Sequence, residues 1–186
     1  MQQEKIDVRI CSNRLLTLHR DELSEEIVYA VRCSSAPLSQ ADLEWPEHQI
    51  FLEFVDTVTD RMDAFQPKQA ERIAAFVRDV PEGALLFFCC DAGVSRSSAL
   101  AAACLRSRGR IREEMEIWSD PAYHPNSLVY KLQCRAYGVH VTGFDLKRHM
   151  QINEQAFSNA IRHSRSGDHP LREILNKIRN FLSGQK

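Results

Sequence analysis

The chain has 186 residues, 44% of them hydrophobic, and a formal net charge of −1, so it can bury a core of ordinary size and carries no polyelectrolyte signal. Its composition excludes collagen-like and disordered chains, and its size makes a disulfide scaffold unnecessary despite six cysteines. Charged residues occupy the N-terminus where an apolar signal would lie, and the longest apolar runs are too short to span a membrane. We therefore expect a cytoplasmic protein with free thiols, no membrane span and no nucleic-acid partner.

The first third of the chain predicts three strands. Ile6–Cys11, Ile27–Cys33 and Gln49–Val55 either alternate apolar and polar residues or are rich in β-branched and aromatic ones. Between the first two strands, the polar segment Arg20–Glu26 is compatible with a helix. After the third strand, Pro67–Val80 shows apolar residues at helical spacing and is followed by a proline, so it predicts a helix.

A continuous apolar run, Ala84–Cys90, lies near the middle of the chain and is typical of a strand buried on both faces. The alanine-rich segment Ser97–Arg108 that follows predicts a helix. This alternation of strands and helices predicts an α/β fold with a central, mostly parallel sheet flanked by helices. Because such folds bind ligands at the carboxyl ends of their strands, the residues after Cys90 are the first place to look for a site.

Three more helices are predicted in the last third of the chain. The first is capped by Asn126 and ends at Gly138, the second begins near Asp145, and the third begins near Asp168 after a hinge at residues 163–167. We therefore expect a main domain over residues 1–140 and a C-terminal helical extension over residues 141–186.

The predicted extension differs in charge from the rest of the chain. Residues 139–186 contain eight Lys or Arg and four Asp or Glu, a net charge of +4, against −5 for the remainder. We expect the extension to pack on the acidic main domain; an acidic partner is the alternative.

One loop carries the clearest chemistry, and it reads Cys90-Asp91-Ala92-Gly93-Val94-Ser95-Arg96-Ser97. Between a buried strand and a helix it must turn sharply, so its amides are expected to face inward beside the helix N-terminus and form an anion cradle. A thiol at Cys90 would be stabilised there as thiolate, and Arg96 would offer a planar pair of donors to phosphate oxygens. Ser97 would donate a hydrogen bond to the sulfur. The pattern predicts a nucleophile inside an oxyanion site.

The loop resembles the signature of the cysteine-dependent protein tyrosine phosphatase superfamily: a cysteine, five residues, an arginine, then serine or threonine. Its Ala-Gly-Val-Ser-Arg-Ser form is particularly similar to the dual-specificity-like type and its bacterial relatives. Phe54-Val55-Asp56 before a helix and the segment Pro125–Tyr130 extend the resemblance, which runs from about Ile6 to Gly138.

The resemblance implies hydrolysis of a phosphorylated protein or a small phosphomonoester through a phosphocysteine at Cys90, without metal or cofactor. Arg96 and Ser97 would be catalytic, together with an aspartic acid that protonates the leaving oxygen. The spacing allows Asp56 or Asp60 as this acid, and the nearby strand end favours Asp56. Asp63 is expected to cap the next helix instead. The phosphoryl oxygens would be bound by Asp91, Ala92, Gly93, Val94, Ser95 and Arg96.

One position departs from the family pattern, because Cys89 stands where the family usually has histidine. We expect Cys89 to point away from Cys90, as a buried core thiol. The alternative is that Cys89, Cys33 or Cys104 resolves an oxidised Cys90. The departure also keeps a rival function open, a pseudophosphatase that binds phosphate or a partner with little turnover. A sulfurtransferase or an arsenate reductase fits the loop less well.

Overall fold

Four parallel strands form one central sheet in the order β1-β4-β2-β3. The strands are β1 (Asp7–Ser12), β2 (Val28–Ser34), β3 (His48–Glu53) and β4 (Leu85–Cys90). The structure is a computed structural model that describes residues 6–164, so the predicted helix from Asp168 and most of the predicted hinge lie outside the described residues. The predicted α/β class is confirmed, with a sheet that is parallel throughout.

Helices cover both faces of this sheet. Within the described range they are α1 (Asn13–Leu18), α2 (Gln40–Leu43), α3 (Pro67–Arg78), α4 (Arg96–Ser107), α5 (Ile111–Ser119), α6 (Ser127–Ala136) and α7 (Gly143–Ser164). Asn126 caps α6 as predicted, since its Oδ1 accepts from the amides of Leu128 and Val129 at 3.0 and 3.1 Å. None of these helices, all within residues 6–164, is long and apolar enough to cross a membrane.

The predicted helix at Arg20–Glu26 is wrong, because this segment forms turns. The helix of this region is α1, which starts directly after β1 with the Ser12 side chain accepting from Leu15 N at 3.1 Å. α1 buries Leu16 against the sheet, whereas the polar residues 20–26 are mostly exposed and have little apolar surface to bury.

β4 lies between β1 and β2 and is covered on both sides, as its continuous apolar run predicts. Leu86, Phe88 and Cys90 belong to the larger core, which also includes residues of α3, α4 and α6. Cys89 belongs to a smaller core on the opposite face, together with Leu16 of α1. Because side chains alternate along a strand, Cys89 and Cys90 project to opposite faces of the sheet.

α7 packs against α5 and α6 through the buried ring of His149, which is 5% exposed. The ring stacks on Trp118 with centroids 5.1 Å apart and meets the Tyr130 ring edge-on at 5.7 Å. Its Nε2 lies 3.9 Å from the buried carboxylate of Glu114, which also binds Arg106 at 3.1 Å. Within the range 6–164, the contact of α7 with α5 and α6 therefore combines aromatic rings with the buried carboxylate of Glu114.

The buried ring of His149 makes the stability of the fold depend on pH. Burial lowers the pKa of His149, and the charge of Glu114 opposes this only in part. The other charged groups around the ring are Asp145, Arg106 and Arg148. As the pH falls below about 6.5, the unfolded chain takes up a proton at this position before the folded chain does.

We expect the free energy of unfolding to fall by up to about 1.4 kcal/mol per pH unit from about pH 6.5 down to the lowered pKa of His149. His149→Phe keeps the stacked ring and should remove this part of the pH dependence, as measured by urea unfolding across the window. His140→Phe is the matched control, because His140 is exposed. Equal pH profiles for wild type and His149→Phe would contradict the prediction.

Candidate active site

The loop between β4 and α4 lies against the end of β1. Gly93, with φ +72°, makes this close approach possible, since a Cβ atom there would be 2.6 Å from the Cys11 carbonyl carbon and from Ser12 N. The Ser98 hydroxyl donates to the carbonyl oxygens of Val94 and Ser95, at 2.5 and 2.9 Å. The loop is thus fixed both by the neighbouring strand and by the first turn of α4.

Cys90 lies at the carboxyl end of β4 and is 2% exposed. Its Sγ accepts a hydrogen bond from Gly93 N at 3.2 Å and lies 3.1 Å from the Ser97 hydroxyl oxygen. Both groups sit on the loop or at the start of α4, where backbone amides and the helix N-terminus favour negative charge. These contacts suit a sulfur that carries negative charge.

Several donors of the cysteine loop have no hydrogen-bond acceptor within residues 6–164. In this range, no hydrogen-bond acceptor is found for the backbone amides of Ala92, Val94 and Ser95. The Nε of Arg96 is likewise buried without a hydrogen bond. Buried donors are normally paired, so unpaired donors concentrated in one loop are a feature of anion-binding sites.

The Arg96 side chain is 3% exposed and held by residues that follow three different strands. One terminal nitrogen donates to Phe54 O at 2.8 Å and to the Ser35 hydroxyl at 3.1 Å, and the other donates to the Asp91 carboxylate at 2.5 Å. Burial alone would lower the pKa of Arg96, but the surrounding acidic groups, which include the carboxylates of Asp91 and Asp56, together raise it. Arg96 therefore remains cationic.

Asp91 provides the counter-charge to Arg96. Burial would raise the pKa of Asp91, but hydrogen bonds from Ser34, Arg96 and the Ser35 amide lower it overall. The sequence pattern placed Asp91 only among the phosphate-binding residues; the geometry also makes it the carboxylate that positions Arg96.

Asp56, on the loop after β3, lies next to residues of the cysteine loop. Its Oδ1 accepts from the Ser95 hydroxyl at 3.0 Å and from Asn126 Nδ2 at 2.7 Å, and its Oδ2 lies 3.8 Å from Arg96 Nε. Asp60 belongs to the same β3–α3 loop but is exposed. Of the two predicted acids, the fold brings Asp56 to the cysteine loop.

Asp63 does not cap α3, contrary to the sequence prediction. The N-cap is Gln66, whose backbone amide donates to Gln69 Oε1 at 2.9 Å in a capping-box arrangement. The exposed Asp63 carboxylate instead binds Arg61 at 3.0 Å. A glutamine capping box is a weaker sequence signal than an aspartate before a proline, which explains the error.

Cys89 contacts Cys11 on the opposite face of the sheet from Cys90, with the two sulfurs 3.4 Å apart. Burial raises the pKa of Cys89 and also that of Cys33, whose thiol donates to Cys89 O at 3.0 Å. Burial likewise raises the pKa of Cys104. Cys89 is a buried core thiol, as predicted, and its side chain faces away from Cys90.

Sequence reasoning missed Ser35 and the Phe54 carbonyl as partners of Arg96, and it predicted Asn126 as the cap of a helix. Asn126 does cap α6 through its Oδ1, and its Nδ2 also binds Asp56. The signal that could have found Ser35 and Phe54 is their position directly after β2 and β3, since parallel strands bring their carboxyl ends to one edge.

We expect Gly93→Ala to destabilise the fold by about 2–4 kcal/mol, because it combines a positive φ with a clash against backbone atoms of β1. Gly109→Ala is the matched control: Gly109 has φ +70°, but nothing lies within 4 Å of the position that a Cβ atom would take there. It should cost only about 1 kcal/mol. Urea unfolding gives the free energy of unfolding of both variants. Equal losses would show that the close approach of the loop to β1 does not affect stability.

No protein-family model and no curated protein sequence matches this chain. Within residues 6–164, no group of three or more His, Cys, Asp or Glu side chains is arranged to hold a metal ion.

Proposed function

We propose that this protein hydrolyses phosphomonoesters through a covalent phosphocysteine, in the manner of the dual-specificity-like phosphatases that its cysteine loop resembles. The proposal depends on one observation, a group of donors in the loop that follows the buried thiol of Cys90. Within residues 6–164, the amides of Ala92, Val94 and Ser95 and the Nε of Arg96 have no hydrogen-bond acceptor. A phosphoryl group has the charge and the acceptor oxygens that such donors bind.

In the first step, the Cys90 thiolate attacks phosphorus in line with the ester bond. The S–P bond forms as the bond from phosphorus to the leaving oxygen breaks, and Asp56 in its acid form gives its proton to that oxygen. The loop amides and Arg96 stabilise the charge on the three equatorial oxygens. The products are the free alcohol or phenol and phosphocysteine.

In the second step, Asp56 as carboxylate takes a proton from a water molecule that attacks phosphorus. The P–S bond breaks, inorganic phosphate leaves and Cys90 returns as thiolate. Ser97, 3.1 Å from the sulfur, is placed to donate a hydrogen bond to this leaving thiolate. Asp56 thus serves as acid and then as base, with Ser95 and Asn126 holding its carboxyl group in place.

We propose that the substrate is a phosphorylated protein or small phosphomonoester and that the protein works in the cytoplasm. All six cysteines are free and buried, which suits a reducing compartment.

The second candidate function is a phosphate-binding module with little turnover. Two observations favour it: Cys89 replaces the usual histidine, and both terminal nitrogens of Arg96 already bind protein oxygens. Acid quenching of the reduced protein with an aryl phosphate separates the two. We expect steady phenol release and a phosphoryl group that mass spectrometry maps to Cys90. Phosphate binding without turnover and without phosphocysteine would favour the second candidate.

A further inference from the structure

A groove of about 620 Å³ is lined by Asp56 and by Ser95 of the cysteine loop, and α7 contributes Met150, Glu154 and Phe157 to its wall. α7 lies beyond the part of the chain that resembles the phosphatases, so the resemblance assigns this wall no role.

The groove shares Asp56 and Ser95 with the proposed active site. This carboxyl group lies 3.8 Å from Arg96 Nε and hydrogen-bonds to Ser95, and it also faces the groove. A general acid must reach the oxygen it protonates, so the leaving group of the ester has to lie on the Asp56 side of the phosphoryl group. The groove that Asp56 lines offers space for such a group.

The chemistry of the groove walls restricts what the leaving group can be. Val58, Met150 and Phe157 give an apolar surface. The acidic side chains are Asp56 and Glu154, and no lysine or arginine of the range 6–164 lines the groove. The charge of Asp56 is paired with Arg96, but a second phosphate group next to Glu154 would face a carboxylate of its own charge.

We infer that α7 forms the leaving-group site of this enzyme, and that it selects phosphomonoesters with a bulky, apolar leaving group that carries no second phosphate. Phe157 and Met150 provide the apolar contact, and Glu154 repels additional anionic groups. The inference rests on the proposed function for its chemistry, but it concerns binding and can be tested separately from turnover.

The test compares phenyl phosphate, naphthyl phosphate and a naphthalene bisphosphate. Dissociation constants are measured by calorimetry with Cys90→Ser protein, and kcat and KM with protein that retains Cys90. We expect naphthyl phosphate to bind about tenfold more tightly than phenyl phosphate, through its larger apolar area, and the bisphosphate to bind more weakly than either.

Variants of α7 locate the effect. Phe157→Ala should weaken naphthyl phosphate binding and raise its KM about tenfold while leaving phenyl phosphate within about twofold. Phe144→Ala is the matched control, because Phe144 lies on the same helix, is 77% exposed and does not line the groove. Glu154→Lys should improve bisphosphate binding about tenfold, whereas Glu71→Lys on the exposed side of α3 should not.

Three results would overturn the inference whether or not the protein turns over substrate. One is equal binding of phenyl and naphthyl phosphate by the Cys90→Ser protein. Another is an equal effect of Phe157→Ala and Phe144→Ala. The third is tighter binding of both phosphates by Phe157→Ala, which would show that the Phe157 ring obstructs the groove instead of contacting the leaving group. Absent turnover together with retained naphthyl preference would instead overturn only the proposed function.

Discussion

Cys90→Ser is expected to lower kcat for an aryl phosphate by at least about 10⁴-fold while leaving phosphate binding intact. A serine hydroxyl is smaller than the thiol and can keep the contacts to Gly93 N and Ser97. It does not ionise near neutral pH, so it is a poor nucleophile even where amides and Arg96 favour an anion. The loss should therefore appear in kcat, with little change in the dissociation constant for inorganic phosphate.

Cys134→Ser is the matched control for this variant. Cys134 is also buried, and burial raises its pKa to about 12, so its thiol stays protonated at neutral pH. We expect the kcat of Cys134→Ser to stay within about twofold of wild type. Turnover that survives Cys90→Ser, or an equal loss in Cys134→Ser after both variants are shown to be folded, would remove Cys90 as the nucleophile.

The side chain of Cys89, which stands where the family pattern has histidine, lies on the face of the sheet opposite to Cys90. In the family pattern a histidine stands at this position, whereas here the side chain contacts Cys11 in a small core beneath α1. Burial raises the pKa of Cys89, which keeps it neutral. The contacts made by Cys90 come from Gly93 and Ser97 and do not include Cys89. A neutral thiol at this position is therefore compatible with the proposed chemistry.

The parts of the fold that sequence reasoning predicted are those with a strong local signal. β4 follows from a continuous apolar run, which is typical of a strand covered on both faces, and α4 follows from its alanines and its position after the loop. α1 was not predicted, because a six-residue helix has too few turns to show periodicity. The local pattern therefore predicted Cys90 and the loop after it as the candidate site.

The residues that bind Arg96 and Asp56 could not be predicted in the same way, because they are distant from these two residues in the sequence. Arg96 binds Ser35 and Phe54 O across 61 and 42 residues, and Asp56 binds Asn126 across 70. These contacts depend on the strand order, which places β2 and β3 on one side of β4. A single sequence shows that strands alternate with helices but does not specify which strand ends become neighbours.

Asp56→Asn is expected to lower kcat by about 10²–10³-fold for an aryl phosphate with a weakly acidic phenol, because the leaving oxygen then departs without a proton. Asparagine keeps an oxygen that can accept from Ser95 and Asn126, so the loop should keep its position. The loss should shrink for a strongly acidic phenol, since that leaving group departs as an anion. A purely structural defect would slow both substrates equally.

Asp60→Asn is the discriminating comparison. Asp60 lies on the same β3–α3 loop but is exposed, whereas Asp56 is tied to the cysteine loop through Ser95. We expect Asp60→Asn to stay within about twofold of wild type for both phenols, measured as kcat across the pH range. If the loss that depends on phenol acidity appeared in Asp60→Asn and not in Asp56→Asn, the general acid would be Asp60. The β3–α3 loop would then have to move toward Cys90 when substrate binds, because Asp60 makes no hydrogen bond to residues 90–97 in the described part of the chain.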